Sequence, residues 1–162
     1  MTEPKQQHIL DEIYATEKSY LTSLLTCQKY YYDDMIDRTP PIVPHAKDKE
    51  MFLYLDGIIS VSRELLAEFD ASLQTHSFEA DLGQNFLKLQ PYLKAYNLFV
   101  GNNAYAMTLF NRLNSKPKYA EYFEELRAAI PGSPAAQLDL GSYLIMPVQR
   151  VPRYRLLLED LL

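Results

Sequence analysis

The chain has 162 residues, of which 48% are hydrophobic and 23% charged. These proportions describe a single folded domain and exclude a disordered chain or a collagen-like fibre. The net charge of −5 disfavours a duplex nucleic acid as partner, because phosphate recognition wants a basic face. Cys27, the one cysteine, has no partner for an internal disulfide, which fits a reducing compartment. The first ten residues are polar and acidic with no long apolar core, so they do not read as a signal peptide. The stretches YLIMPV (143–148) and LLLEDLL (156–162) fall far short of the roughly 20 apolar residues of a membrane span. Neither end carries a lipidation signal. The expectation is a soluble, cytoplasmic protein, without membrane insertion of its own, that reaches membranes only through regions outside the chain.

With 5 glycines and no alternating run bounded by Asn-Gly or Asp-Gly, strand signals are scarce. The apolar period is helical. Ile9, Ile13, Thr16, Tyr20, Leu24, Cys27 and Tyr31 recur in steps of three and four, one stripe of a long first helix. The prolines between Arg38 and Pro44 end it. Asp48 is placed to cap a second helix with Phe52, Leu55, Ile58, Ile59, Ser62, Leu65, Leu66 and Phe69 on its buried face, and Gly57 to bend it. Residues 70–81 read as a connection with a weak helical tendency. A third segment begins near Leu82 and runs to Leu113, with a kink at Pro91 and a soft point at Gly101-Asn102-Asn103. Ser115 or Lys116, followed by Pro117, starts a short helix with Tyr119, Phe123, Leu126 and Ile130. Pro131-Gly132-Ser133-Pro134 is a turn, and 137–162 is a last helical segment holding Pro147 and Pro152. The fold class is all-α: about five or six helices in an oblong bundle.

No chemistry of bond-making stands out. His8, His45 and His76 are scattered, no Cys or His sits at metal-ligand spacing, and no glycine-rich phosphate loop is present, so neither metal nor cofactor is expected. Cys27 lies on the apolar stripe with nothing basic beside it and reads as a buried hydrophobe. Asp33-Asp34-x-x-Asp37 has the form of a diphosphate–Mg²⁺ motif, with Asp33 and Asp37 on one helix face. It lacks a second aspartate-rich helix opposite and sits at a helix end before Pro40-Pro41, so a solvated acidic terminus is the better reading.

The last segment is unusual. Two prolines five residues apart cost about 3 kcal/mol each inside an undistorted helix. Arg150, Arg153 and Arg155 crowd together with no acid among them, and Arg150 and Arg153 share a face. Composition leaves two readings open: a kinked core helix with a solvated basic face, or a basic patch that meets an acidic partner.

The string Y-L-I-M-P-V-Q-R-V-P-R-Y-R-L-L-L (143–158) resembles the third conserved region of Dbl-homology (DH) domains, the catalytic module of Rho-family guanine nucleotide exchange factors. Residues 9–21, with the core E-I-x-x-T-E-x-x-Y, resemble the first region. Phe86 to Tyr96, followed by Phe99 and Asn102, resembles the middle region in the style of the faciogenital-dysplasia group. The three occur in family order and span nearly the whole chain.

The resemblance implies an oblong helical bundle that binds a Rho/Rac/Cdc-type small GTPase and promotes GDP release and GTP loading by remodelling switch I, switch II and the Mg²⁺ site. It implies no covalent step and no cofactor. By motif position, Glu12 engages switch I, Arg153 reaches switch II and Ile145 is the partner-discriminating apolar contact, with Ile13 and Thr16 beside Glu12. Glu17, Gln149, Arg150 and Tyr154 are read as structural, Glu17 through a hydrogen bond or ion pair from the first helix to the last. The alternative is a DH-like scaffold that binds a GTPase or another protein without exchange. The resemblance also implies that 1–162 is a DH domain lacking its C-terminal helical part and a pleckstrin-homology domain. Leu157, Leu158, Leu161 and Leu162 would then lack cover, and the exposed stripe would favour self-association.

Overall fold

The computed structural model describes residues 3–162. Among them the regular structure is entirely helical: α1 Pro4–Cys27, α2 Asp33–Asp37, α3 His45–Met51, α4 Leu55–Gln74, α5 Phe78–Leu87, α6 Leu93–Asn114, α7 Pro117–Ala128, α8 Leu140–Leu144 and α9 Met146–Leu161. Six of these, α1, α4, α5, α6, α7 and α9, have ten residues or more.

α1 and α2 form one rod, joined by a π-helical turn, Gln28–Tyr32. Cys27, Tyr31 and Met35 are all buried. On a regular helix their four-residue steps would drift about 40° each away from the core. The wider π turn absorbs that drift. Arg38 leaves the helix in an extended conformation (ψ 127°), where the proline run predicts the end.

Asp48 caps nothing. It lies inside α3, fully buried, with Oδ2 3.1 Å from His45 Nδ1. Pro44 starts the helix one turn earlier than the aspartate suggested, because its fixed φ suits a helix start. The bend expected at Gly57 sits instead between α3 and α4, where Tyr54 takes φ 70°. Gly57 serves close approach: a Cβ there would stand 3.0 Å from Ala95 Cβ on α6.

The connection expected over 70–81 is mostly helix. α4 continues to Gln74 and α5 starts at Phe78, leaving a three-residue turn in which His76 has φ 55°. Hydroxyls on both sides of the turn converge on one carboxylate. Ser72 and Ser77 both donate to Asp81 Oδ2, at 3.1 and 2.6 Å, while the Phe78 ring packs 5.0 Å from that of Phe69. Pro91 does not kink one helix but separates two, through the 3-10 turn Gln90–Tyr92. α6 then passes unbroken through Gly101-Asn102-Asn103. The two asparagine side chains are engaged elsewhere, donating to Glu50 O and Leu144 O at 2.8 and 2.7 Å, so they do not compete with the helix backbone. Pro117 occupies the first turn of α7, and Gly132 takes φ 109° in the following turn.

The last segment divides at Ile145. Asp139 caps α8, its Oδ1 accepting from Ser142 N at 2.8 Å. Pro147 thereby falls in the first turn of α9, where a missing N–H costs nothing, and only Pro152 lies inside a helix. α1 runs through the middle of the core against α4, α8 and α9, burying Ile9, Ile13, Leu24 and Cys27. Burial pushes the Cys27 thiol far above its ordinary value. Leu157 is 2% exposed, because it faces the core; Leu158 and Leu161 are half-buried, so of the four leucines expected to lack cover only Leu162 is fully exposed.

Candidate functional site on the α1–α9 face

α1 and α9 run antiparallel, joined by a buried polar centre. The buried face of α1 contains Glu17 where the spacing predicted Thr16. Thr16 is half-buried and turns its hydroxyl back to Glu12 O at 2.6 Å. Glu17 is fully buried. Its Oε2 accepts from Arg150 Nε and Nη2 at 3.0 and 2.8 Å and from Tyr154 OH at 2.6 Å. Its Oε1 accepts from Ser62 Oγ of α4 at 2.8 Å. The Arg150 guanidinium lies 4.5 Å from the Tyr154 ring centroid and 5.6 Å from that of Tyr20, and Tyr20 OH is 2.8 Å from Tyr96 OH on α6. One carboxylate thus ties α1, α4 and α9 together, and the tyrosine pair adds α6.

The electrostatics follow from burial. Desolvation, then the neighbouring phenols and Glu17, push Tyr20 and Tyr154 far above the ordinary tyrosine value. Burial dominates at Tyr96, pushed up to about 12. Burial opposes the Arg150 charge, but Glu17 and Tyr154 hold its pKa above the ordinary value.

This centre fixes the register of α9, and three residues after Arg150 the chain presents Arg153 at the solvent edge. Arg153 Nη2 pairs there with Glu12 Oε1. The structure therefore brings together two residues that the motifs assigned to separate contacts. Next to the pair a shallow groove of about 390 Å³ runs between the helices, lined by Thr16, Ser19 and Ser23 of α1 and by Met146, Gln149 and Arg153 of α9. Gln149, expected as structural, is exposed along this groove. Ile145 is half-buried at the α8–α9 junction. Ile13, expected beside Glu12 in the contact, is 1% exposed and packs in the core. Tyr154 and Arg150 belong to the buried centre.

Sequence reasoning missed Ser62, Tyr20 and Tyr96 as members of that centre. Their signal was present: a serine and two tyrosines standing on otherwise apolar stripes. The second aspartate of the 33–37 motif is engaged elsewhere. Asp34 Oδ1 accepts from Arg38 Nε at 2.9 Å and from Tyr122 OH at 2.7 Å, tying α2 to α7. Among the described residues no helix is long and apolar enough to cross a membrane.

Comparison with known proteins converges on one family. The family model described as RhoGEF domain matches residues 9–162. The Rac guanine nucleotide exchange factor JJ of Dictyostelium discoideum is 30% identical over 155 residues, 94% of this chain and 13% of that protein. The human FYVE, RhoGEF and PH domain-containing protein 6 is 29% identical over 98% of this chain and 11% of its own length. The chain thus spans a small part of these relatives. A structure of the Vav1 exchange factor superposes with a TM-score of 0.84 at 22% identity, covering 97% of this chain and 41% of that one. The PDZ-RhoGEF DH/PH domains, solved in complex with activated RhoA, give 0.83 at 17% identity, covering 99% and 46%. At these identities the superpositions establish the shared helical bundle.

Proposed function

The chain belongs to the RhoGEF domain family, and on that basis we propose that its α1–α9 face binds a Rho-family small GTPase and promotes GDP release and GTP loading. The observation that carries the reading is the meeting of Glu12 and Arg153 at the solvent edge of a rigid buried centre. Glu12, set above Ile13, accepts hydrogen bonds from switch I. Arg153, a permanent cation with a planar fork of donors, reaches carbonyls or a carboxylate of switch II. Ile145 and the groove supply contact between them. In the free protein Glu12 and Arg153 satisfy each other, so the partner's loops replace one ion pair by two sets of contacts.

Exchange of this kind needs binding alone. A GTPase that holds GDP at picomolar affinity is stabilised by roughly 16 kcal/mol. A factor that prefers the nucleotide-free state weakens GDP by the same ratio by which GDP weakens the factor. The switch loops are held in a shape that no longer supports Mg²⁺ and nucleotide, and excess GTP sets the direction. The matched relatives extend well beyond this segment.

The test is release of fluorescent GDP from Rac and RhoA, with wild type and Glu12→Ala. Acceleration lost in a folded Glu12→Ala supports the reading. Unchanged acceleration in that variant overturns the role of Glu12, and binding without acceleration makes the domain a scaffold.

A further inference from the structure

We infer that Ser133 is a phosphorylation site, the acceptor for a proline-directed serine kinase. The turn after α7 reads Pro131-Gly132-Ser133-Pro134, and the proposed GTPase contact leaves it unused. Kinases of this class read a serine followed at once by proline, and a proline two residues before the serine improves the match. The following proline brings no N–H that needs a partner, and it holds the serine extended. Serine or threonine precedes proline twice in the chain, at Thr39-Pro40 and Ser133-Pro134. Thr39 has Asp37 in the earlier position, where Ser133 has Pro131.

The structure presents this serine as a kinase requires. A kinase threads its substrate as an extended strand, so the acceptor must leave the surface without unpacking a core. Residues 131–136 are all exposed. Ser133 already has extended backbone, with φ −71° and ψ 163°. Its hydroxyl has no hydrogen-bond partner among the described residues, whereas the Thr39 hydroxyl donates to Asp37 O at 3.4 Å. Gly132, at φ 109°, lets the chain straighten beside the serine, because it has no Cβ to restrict it. Two side chains close the base of the loop: Gln137 Nε2 donates to Ile130 O at 2.6 Å, and Arg127 Nη1 donates to Gln137 O at 3.3 Å. These bonds can part without opening a helix.

In the transfer, Ser133 Oγ attacks the γ-phosphorus of ATP. A new O–P bond forms, the bond from that phosphorus to the β–γ bridging oxygen breaks, ADP leaves, and the hydroxyl proton passes to the kinase's base. The product adds a charge of about −1.5 to −2 to a loop that carries none. The loop lies against α1, where Pro131 and Ala135 share with Ser23 the walls of a cavity of about 490 Å³. Ser23 also lines the α1–α9 groove, so the charge arrives at the edge of that face.

The experiment incubates the folded full chain with ATP and a proline-directed kinase and locates phosphate by mass spectrometry. Wild type, Ser133→Ala, Pro134→Ala and Thr39→Ala are compared, all at exposed positions, with folding verified by circular dichroism. A peptide of residues 128–139 is the unfolded reference. Expected is one phosphate at Ser133, absent in Ser133→Ala and unchanged in Thr39→Ala. Its rate should fall about tenfold or more in Pro134→Ala, the worth of one pocket contact. The folded chain should react within about tenfold of the peptide, since opening an exposed loop costs little. Phosphate that persists in full in Ser133→Ala, no phosphate on wild type, an undiminished rate in Pro134→Ala, or a folded chain slower than that margin overturns the inference. No GTPase enters the test, so its outcome is separate from that of the exchange reading.

Discussion

Substituting Glu17 by glutamine removes one charge and little else. The amide keeps an oxygen for Arg150 and Tyr154 and turns its NH₂ toward Ser62. What is lost is the charge opposite the Arg150 guanidinium, 2.8 Å away and 7% exposed. Two unit charges with centres about 4 Å apart interact by about 4 kcal/mol at an effective dielectric of about 20, and breaking a buried pair costs roughly 3–5 kcal/mol. For a domain of this size that lowers the melting temperature by roughly 6–20 °C. Urea unfolding followed by circular dichroism reads the difference directly. Glu159→Gln is the control: its bond to Arg155 is equally short at 2.8 Å but lies in water, the two side chains being 54% and 81% exposed, and its loss should leave the midpoint in place. Arg150→Met should cost a similar amount to Glu17→Gln, and the double variant less than the two together, since no charge is then left buried alone. A loss below about 1 kcal/mol in Glu17→Gln would refute the claim that this pair sets the register of α9.

Two further predictions concern packing and pH. Gly57→Ala should destabilise by about 1–3 kcal/mol, because its Cβ meets Ala95 at 3.0 Å, whereas Gly83→Ala, exposed in α5 with nothing within 4 Å, should stabilise by about 0.5–1 kcal/mol; paired denaturation curves decide, and equal signs would refute the close approach of α4 and α6. Tyr20, Tyr96 and Tyr154 have folded pKa values above their unfolded ones, so the folded state binds more protons at high pH. Stability from these groups is complete below about pH 10 and falls as pH rises toward the Tyr96 value of about 12; a urea midpoint that held constant across that window would contradict it.

Helix period made the bundle legible, since it records which side of each helix is buried. It failed where the decisive information lay in a distant segment. Residues 70–81 show only a weak helical tendency by themselves, and Asp81 and Phe78, meeting Ser72 and Phe69, make them helix ends. Glu17 lies off the apolar period, and only the motif resemblance marked it as a link to the last helix; the counter-charge that lets it be buried, Arg150, stands 133 residues later. Glu12 and Arg153 were legible as candidates through motif resemblance. Their mutual pairing was not, because it depends on the antiparallel register of α1 and α9. Pro147 looked costly for a similar reason: nothing local announces that the helix restarts at Met146.

The π turn in the long first rod has an evolutionary corollary. A π turn is an α-helical segment with one surplus residue accommodated in the same rotation. Removing one residue from Gln28–Tyr32 would restore a regular helix while leaving Glu12 facing α9 at one end and Asp34 facing Tyr122 at the other. Homologues that differ by a single residue at this point can therefore preserve both halves of the rod, and a gap placed there in an alignment marks no break in the fold.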